Sequence, residues 1–259
     1  MQTKLSKFGT PRTVFALMVR EMITTNGRSP GGYIWAVAEP VAAIALLTFL
    51  FSFVFRSPPL GNNFAYFYAT GVVPFMMYLD LNNKISLALN FSKALLFYPR
   101  VTFIDTLLAR FILNFLTQIL VFFLVFCFVI LMFQLKPTLD FISIFKGILM
   151  TAALGAGVGI FNCFMTLRMP VWQRVWAIIT RPLFLMSCVF FLFESVSDSV
   201  RDLLWYNPLV HVVGMIRRGF FNTYDATYVS MTYVMFVSLV LVFLGLVFLS
   251  SYHRDWLNK

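Results

Sequence analysis

The sequence predicts an all-α membrane protein with six transmembrane helices, and three observations support this fold class. Apolar runs of about 20 residues recur along the chain, which is the length that a helix needs to cross a bilayer. Of the 259 residues, 60% are hydrophobic and only 12% are charged, about half the charge of a soluble domain. Basic residues gather in the short segments between the apolar runs, as is typical of multi-pass membrane proteins. The predicted spans cover residues 33–55, 64–90, 105–133, 141–166, 171–193 and 228–251.

The segment before the first span, residues 1–30, predicts a cytoplasmic interfacial helix. A Thr-Pro pair at 10–11 is a typical helix start. Phe15, Met18 and Met22 then share one helical face, a pattern typical of a helix that lies flat on a membrane. No uninterrupted apolar stretch follows the first basic residues, so a cleavable signal peptide is not expected.

The distribution of charge predicts the orientation. Assigning the loops alternately to the two sides gives eleven lysines and arginines on the side of the termini and five on the other. Because short cytoplasmic loops carry the excess of positive charge, both termini are expected in the cytoplasm. We therefore interpret the net charge of +10 as the charge that orients the protein in the membrane and not as a sign of nucleic-acid binding. Residues 1–259 are predicted to form a single transmembrane domain.

The fifth predicted span holds two arginines at membrane depth. Arg174 and Arg181 are seven residues apart and therefore lie near the same helical direction. Arg181 lies roughly 15 Å along the helix. Because a charge at that depth is costly, either Arg181 pairs with an acid on another span or the two arginines line a water-filled path.

Further polar groups occur in the first three spans. Asp80 and Lys84 are four residues apart and can pair within one helix. These groups either neutralise one another in the bundle or line a polar path, and the two interpretations are compatible. Aromatic side chains near span ends can also support a sugar ring through flat apolar contact. The candidate path residues are Tyr33, Trp35, Glu39, Asp80, Lys84, Arg110, Arg174 and Arg181.

The fourth span and the cysteines receive structural interpretations. Glycines at 147, 155, 157 and 159 place small residues at four-residue spacing, which predicts close helix packing. All three cysteines lie inside apolar runs without paired spacing. They are interpreted as small apolar residues, so neither a disulfide nor a metal site is expected.

Within residues 197–222, the stretch 206–221 is too short and too basic to form a further span. Ser197 can cap a first helix, and Asn207-Pro208 can end that helix and start a second one. The prediction is two short amphipathic helices that dip into the outer leaflet and return, either as a hinged gate at the outer mouth of a pathway or as a simple interfacial hairpin. The candidate gate residues are Asp198, Asp202, Trp205, Asn207, Pro208, His211, Arg217 and Arg218.

Residues 90–103 join the second and third predicted spans on the cytoplasmic side. Lys93 and Arg100 flank an apolar centre, and Pro99 bends the chain towards the third span. Such a segment can dock into a groove of a partner protein or can be an ordinary helical turn on the membrane.

Three segments together resemble a known family. They are RSPGGYIWAVAEP (28–40), LLFYPRV (95–101) and NPLVHVVGMIRRGFF (207–221). In order and spacing they are similar to the permease subunit of polysaccharide-exporting ABC transporters, and within that family to the capsular polysaccharide permeases of Gram-negative bacteria, the KpsM type. The segment LRMPVWQR (167–174) lacks the acid that O-antigen and teichoic-acid permeases often carry after an arginine, which favours the capsule branch.

The resemblance implies half of a homodimeric channel in the bacterial inner membrane. Two copies of a separate cytoplasmic ABC ATPase would bind ATP and Mg²⁺, since this chain contains no GxxxxGK[ST] loop, and no cofactor is expected in the chain itself. The cargo would be a lipid-linked acidic polysaccharide, received by a periplasmic co-polymerase or adaptor and an outer-membrane export protein. The residues that the resemblance assigns to ATPase coupling are Arg20, Lys93, Leu95, Leu96, Pro99 and Arg100.

Two alternative functions remain at this stage. A related permease could export O-antigen, teichoic acid or a small molecule. An integral membrane transferase acting on glycans or lipids would need a cluster of acids or a histidine near one membrane face. Asp198, Asp202 and His211 are its only candidate cluster.

Overall fold

The computed structural model describes residues 9–26, 32–98 and 101–257, and all regular structure in these ranges is helical. The coupling residues Pro99 and Arg100 and the side chain of the path residue Tyr33 lie outside what is described. The helices are α1 (Gly9–Glu21), α2 (Gly32–Val54), α3 (Phe64–Ser86), α4 (Ala88–Phe91), α5 (Phe103–Met132), α6 (Phe141–Arg168), α7 (Trp172–Leu185), α8 (Asp198–Trp205), α9 (Pro208–Phe220) and α10 (Met231–Leu257).

Five helical segments in the described part of the chain are long and apolar enough to cross a membrane. They are Ile34–Val54, Phe64–Ser86, Phe103–Met132, Phe141–Arg168 and Met231–His253. The prediction of six such helices is not matched, because the region 171–193 forms only the 14-residue helix α7. At 1.5 Å per residue α7 is about 21 Å long, shorter than the hydrocarbon core of about 30 Å.

The centre of the fold is a pair of parallel helices, α3 and α6. A methyl group added at Gly155 would approach Leu81 to 2.9 Å, and one at Gly159 would approach Ile85 to 2.8 Å. The glycines therefore let the two backbones come close, which confirms the packing interpretation of this stripe.

α10 also runs beside α6, and in the same direction. Gly157 of α6 faces Ser238, where a methyl group would lie 2.7 Å from the backbone oxygen. Further along both helices, the ring of Phe164 lies 5.0 Å from that of Phe248 and 6.0 Å from that of Tyr252. Contact positions therefore rise together along the two helices, as parallel packing requires.

The outer faces of the long helices are strongly apolar. Phe53 of α2, Leu131 of α5 and Phe243 of α10 are 76%, 70% and 66% exposed. A surface of this kind is unfavourable in water and stable against lipid tails.

α1 packs on α5 mainly through residues outside the face predicted to lie on the membrane, and Met18 of that face joins the contact. Val14 and Leu17 are buried beside Ala109, whereas Phe15 is 67% and Met22 46% exposed. The predicted apolar face thus points largely away from the protein, and a second apolar face makes the contact with α5.

Between α7 and α8 the chain leaves helical geometry inside the protein. Cys188 has a left-handed φ of 56°, and the backbone of Val189 packs against Gly71, where a methyl group would lie 3.1 Å from the Cα atom of Val189. Cys188 and Val189 are buried. A buried, non-helical backbone needs hydrogen-bond partners from other elements.

Candidate translocation, gate and coupling sites

The buried break after α7 receives its hydrogen bonds from α9. Arg217 is fully buried, and its two terminal nitrogens donate to the carbonyl oxygens of Phe191 at 2.9 Å and Val189 at 2.8 Å. Asn207 donates to the carbonyl oxygen of Met186 at 3.0 Å. The two side chains thus satisfy three carbonyls at the end of α7 and in the segment that follows it.

The guanidinium group of Arg217 is further held by a ring. Its central carbon lies 4.3 Å from the ring centroid of Phe67, a cation–π arrangement. The prediction placed Arg217 among residues at the mouth of a pathway. The structure places its side chain inside the protein, bonded to the backbone.

The hinge between α8 and α9 forms as the sequence predicts. The side-chain oxygen of Asn207 accepts a hydrogen bond from the backbone N–H of Leu209 at 3.0 Å, and Pro208 is the first residue of α9. Ser197 occupies the predicted N-cap position of α8, but its side chain makes no capping hydrogen bond. Local signals therefore define the second of the two helices better than the first.

His211 ties the two short helices to the start of α10. Its Nδ1 accepts from the backbone N–H of Ser230 at 3.2 Å, so the proton sits on Nε2, which donates to the carbonyl oxygen of Trp205 at 2.8 Å. His211 is fully buried. Its bonds run to backbone groups and not to Asp198 or Asp202, so the three residues do not assemble into one reactive site.

The accessible charges of this region have mixed sign. Arg218 lies 3.7 Å from Asp225, and Arg201 lies 3.1 Å from Asp198. Asp202 is exposed on α8. The exposed surface of the candidate gate is therefore not purely basic.

Both arginines of α7 lie on the surface of the chain. Arg174 and Arg181 are exposed, and neither has an acidic partner within 4.0 Å in the described ranges. Pairing with an acid of the same chain, one of the two interpretations, is thus not observed there. Trp35, which is 72% exposed, and Glu39 are likewise on the surface, on α2.

Of the remaining path residues, Lys84 is half-buried, and Asp80 and Arg110 bond to other helices of the bundle. Asp80 accepts a hydrogen bond from the side chain of Gln118 on α5. The predicted pairing of Asp80 with Lys84 does not form within 4.0 Å. The partner of Asp80 is therefore the side-chain amide of Gln118 and not Lys84, which the spacing of four residues had predicted.

Arg110 belongs to a junction at the opposite end of the bundle from the gate helices. Its Nε lies 3.1 Å from a carboxylate oxygen of Glu21 on α1, and one terminal nitrogen donates to the carbonyl oxygen of Lys84 at 3.1 Å. The guanidinium group also lies over the ring of Phe91 at 4.1 Å. Burial raises the pKa of Glu21 above its ordinary value, and the charge of Arg110 opposes that shift. The junction joins α1, α3, α4 and α5.

The predicted coupling segment has an inner and an outer side. Leu95 packs into the small cluster that contains Val14 and Leu17, whereas Phe97 and Tyr98 are each 64% exposed. Lys93 lies over the ring of Trp256 at 4.8 Å, which connects the segment to the end of α10. Of the other coupling residues, Leu96 is half-buried and Arg20 lies 5.8 Å from the ring of Phe91. The two exposed aromatic residues were not among the predicted coupling residues, although their adjacency in the sequence was a signal.

A cavity of about 190 Å³, lined mainly by apolar surface with several polar side chains, lies between α3, α6 and α7. Trp172 and Trp176 of α7 line it together with Asn162 of α6. Sequence analysis did not single out this site, because its polar residues come from three helices. In the described residues no group of three or more His, Cys, Asp or Glu side chains could hold a metal ion.

The long apolar helices, their lipid-compatible surface and the buried polar junctions define a multi-pass α-helical membrane protein. Residues 12–221 match the family described as ABC-2 type transporter. The chain therefore belongs to this family.

Curated relatives cover most of the chain. The polysialic acid transport protein KpsM of Escherichia coli is 30% identical over 222 residues, 86% of each chain. The capsule polysaccharide export inner-membrane protein CtrC of Neisseria meningitidis serogroup B is 24% identical over 86% of this chain and 84% of its own. The protein BexB of Haemophilus influenzae, of the same description, is 22% identical over the same shares. The resemblance to this family is thereby confirmed.

Proposed function

We propose that the chain is the membrane-spanning permease subunit of an ATP-driven exporter of capsular polysaccharide in a bacterial inner membrane. The observation that carries the proposal is the near full-length similarity to three proteins named for polysialic acid transport or capsule polysaccharide export. ATP and Mg²⁺ would be bound by a separate ABC ATPase, in two copies on a homodimer of this chain.

The parallel course of α6 and α10 supports a sixth crossing. Two parallel neighbours can be joined only if the chain between them returns across the membrane. α7 and the segment 186–193 are the candidates for that return, as a broken span. The hydrogen bonds from Asn207 and Arg217 support this assignment, since they satisfy non-helical carbonyls at membrane depth. Six crossings put both termini on one side, and the excess of basic residues on that side favours the cytoplasm.

In this topology α8 and α9 form a re-entrant pair at the periplasmic side. Their exposed charges, Asp198, Asp202 and Arg218, are available to a periplasmic adaptor that leads to an outer-membrane export protein. His211, Asn207 and Arg217 hold the pair to α10 and to the broken span.

The cargo path would run along the exposed faces of α2 and α7, closed by the second copy of the chain. Arg174 and Arg181 are exposed there without an acid of the same chain in its described part. Such basic groups lower the cost of moving carboxylates through a low-dielectric passage. The cargo must also slide, and several weak contacts release a polymer better than one strong site.

Conformational changes of the ATPase would be transmitted to the permease through residues 93–98 and α1. Phe97 and Tyr98 present an apolar surface that fits a groove on the ATPase, while Leu95 and the Glu21–Arg110 pair pass displacement on to α5. This arrangement needs no catalytic group in the permease itself.

The test is the location of polysaccharide in a strain that lacks this gene, with and without complementation. Complete polymer trapped in the cytoplasm and restored to the surface by the gene is the expected result. Absence of any polymer would indicate a synthetic enzyme, and an unchanged surface coat would indicate export of another compound.

A further inference from the structure

The cavity between α3, α6 and α7 combines a polar wall with two indole rings. Ser86, Asn162 and Thr166 form a buried wall, and Trp172 and Trp176 lie opposite on α7 with centroids 6.2 Å apart and ring planes 27° apart. Among the described residues, no charged side chain lines the cavity. Asn83 and Gln173 are exposed at its rim, so the cavity is reached from the surface.

One wall of the cavity is fixed by a chain of hydrogen bonds. The indole N–H of Trp172 donates to the side-chain oxygen of Asn162 at 2.9 Å, and the amide nitrogen of Asn162 donates to the side-chain oxygen of Asn82 at 2.9 Å. Asn82 is fully buried, and Asn162 is 1% exposed. A wall held in this way is preorganised, so a ligand does not have to order it.

Trp176 lacks such a bond. Its indole nitrogen is buried and has no hydrogen-bond partner among the described residues. Because water cannot touch this nitrogen, Trp176 presents its ring to the cavity and not a hydrogen-bond donor.

We propose that this cavity binds one uncharged, hydroxyl-bearing sugar ring of the transported glycan. The C–H face of such a ring packs flat on an indole, and its hydroxyl groups both donate to and accept from amides and hydroxyls. Carboxylate and phosphate groups call instead for arginine or lysine, which the lining lacks. The volume of about 190 Å³ leaves room for one sugar ring, and the open rim lets the rest of a glycan extend out of the cavity.

The proposal rests on the proposed export function. It adds that different residues bind the neutral and the acidic parts of the cargo. The cavity lies at the level where α3 and α6 end, the cytoplasmic side in the proposed topology. It would recognise the neutral ring faces of the cargo there, while Arg174 and Arg181 attract its acidic groups.

The test uses the full-length chain in lipid nanodiscs, labelled with 5-fluorotryptophan. The five tryptophans are assigned by Trp→Phe substitutions, and methyl α-glucoside, glucuronate and inorganic phosphate are titrated at equal ionic strength. Saturable shifts of the Trp172 and Trp176 signals with the neutral glycoside, and no such shift of the other three, are expected. Trp176→Ala removes one of the two ring faces and should weaken binding by about three- to tenfold, whereas Trp176→Phe keeps an aromatic face and should weaken it less. Trp256→Phe, at a residue that does not line the cavity, should leave the affinity unchanged.

Three results would overturn the proposal: no saturable shift, equal shifts of all five signals, or a response to the two anions without one to the glycoside. These failures are separable from a failure of the export function. A missing response in a protein whose gene restores the surface capsule would remove the cavity as a sugar site and leave the exporter. If the gene restored no capsule, the function itself would be wrong, whatever the titration showed.

Discussion

Replacing Arg217 with methionine tests whether this arginine braces the fold or guides cargo. The substitution keeps the length of the side chain but removes both donors, so the carbonyl oxygens of Val189 and Phe191 lose their bonds at 2.8 and 2.9 Å. A hydrogen bond to a charged group contributes about 1.5–3 kcal/mol, so the two together are worth about 3–6 kcal/mol. That is a large fraction of a total stability of about 5–15 kcal/mol.

The neighbouring Arg218→Met variant is the matched control. It removes the same charge one position along the same helix, where the side chain is 49% exposed and its only ion pair in the described part of the chain is long, at 3.7 Å. Exposed pairs of this kind contribute about 0–1 kcal/mol. We expect thermal unfolding in detergent, followed by tryptophan emission, to show a large loss of stability for Arg217→Met and almost none for Arg218→Met.

The result that would refute the reasoning is an Arg217→Met protein as stable as the Arg218→Met protein. If that stable variant also failed to export polymer, Arg217 would contact cargo in a conformation in which its side chain is released. If it exported normally, the buried carbonyls would have found other partners.

Three further perturbations address the path, the coupling segment and the junction. Arg181→Glu should reduce surface polysaccharide at least about tenfold while membrane insertion and dimer formation stay intact, and normal export would remove Arg181 from the path. Phe97→Asp, with Tyr98→Phe as the conservative control, should abolish copurification of the ATPase subunit, and an intact complex with normal ATP turnover would show that the partner binds elsewhere. Glu21→Leu leaves the buried charge of Arg110 unpaired and should cost about 3–5 kcal/mol. Adding Arg110→Met should recover much of that loss in a double-mutant cycle, and purely additive losses would mean that the ion pair does not couple the two helices.

Sequence reasoning located features whose causes are local. The start of α9 was predictable because a capping side chain and a proline act within a few residues of each other, at Asn207 and Pro208. The glycine packing of α6 was predictable because small residues at regular spacing have a single structural use in a bundle.

Features that depend on tertiary partners were not predictable. The partners of Arg217 are backbone carbonyls. Every residue has a backbone carbonyl, so the sequence does not indicate which of them Arg217 will bind. Asp80 was assigned to Lys84 by the helix-spacing rule, but Gln118 arrives from a different helix and forms the bond instead. The apolar run 171–193 read as one continuous span because hydropathy does not register the left-handed turn at Cys188.

The weak attachment of α7 has a mechanical consequence. α3, α6 and α10 are joined at glycines where backbones nearly touch, so their separation cannot change without repacking. α7 has no fully buried side chain and is bonded to α6 through Trp172 and Asn162. Displacing α7 sideways would widen the cavity behind it, at the cost of uncovering the half-buried Trp176, Leu183 and Phe184, which pack on the core. Within the described part of the chain, α7 thus lacks the close glycine contacts that fix α3, α6 and α10, and its two arginines would move with it.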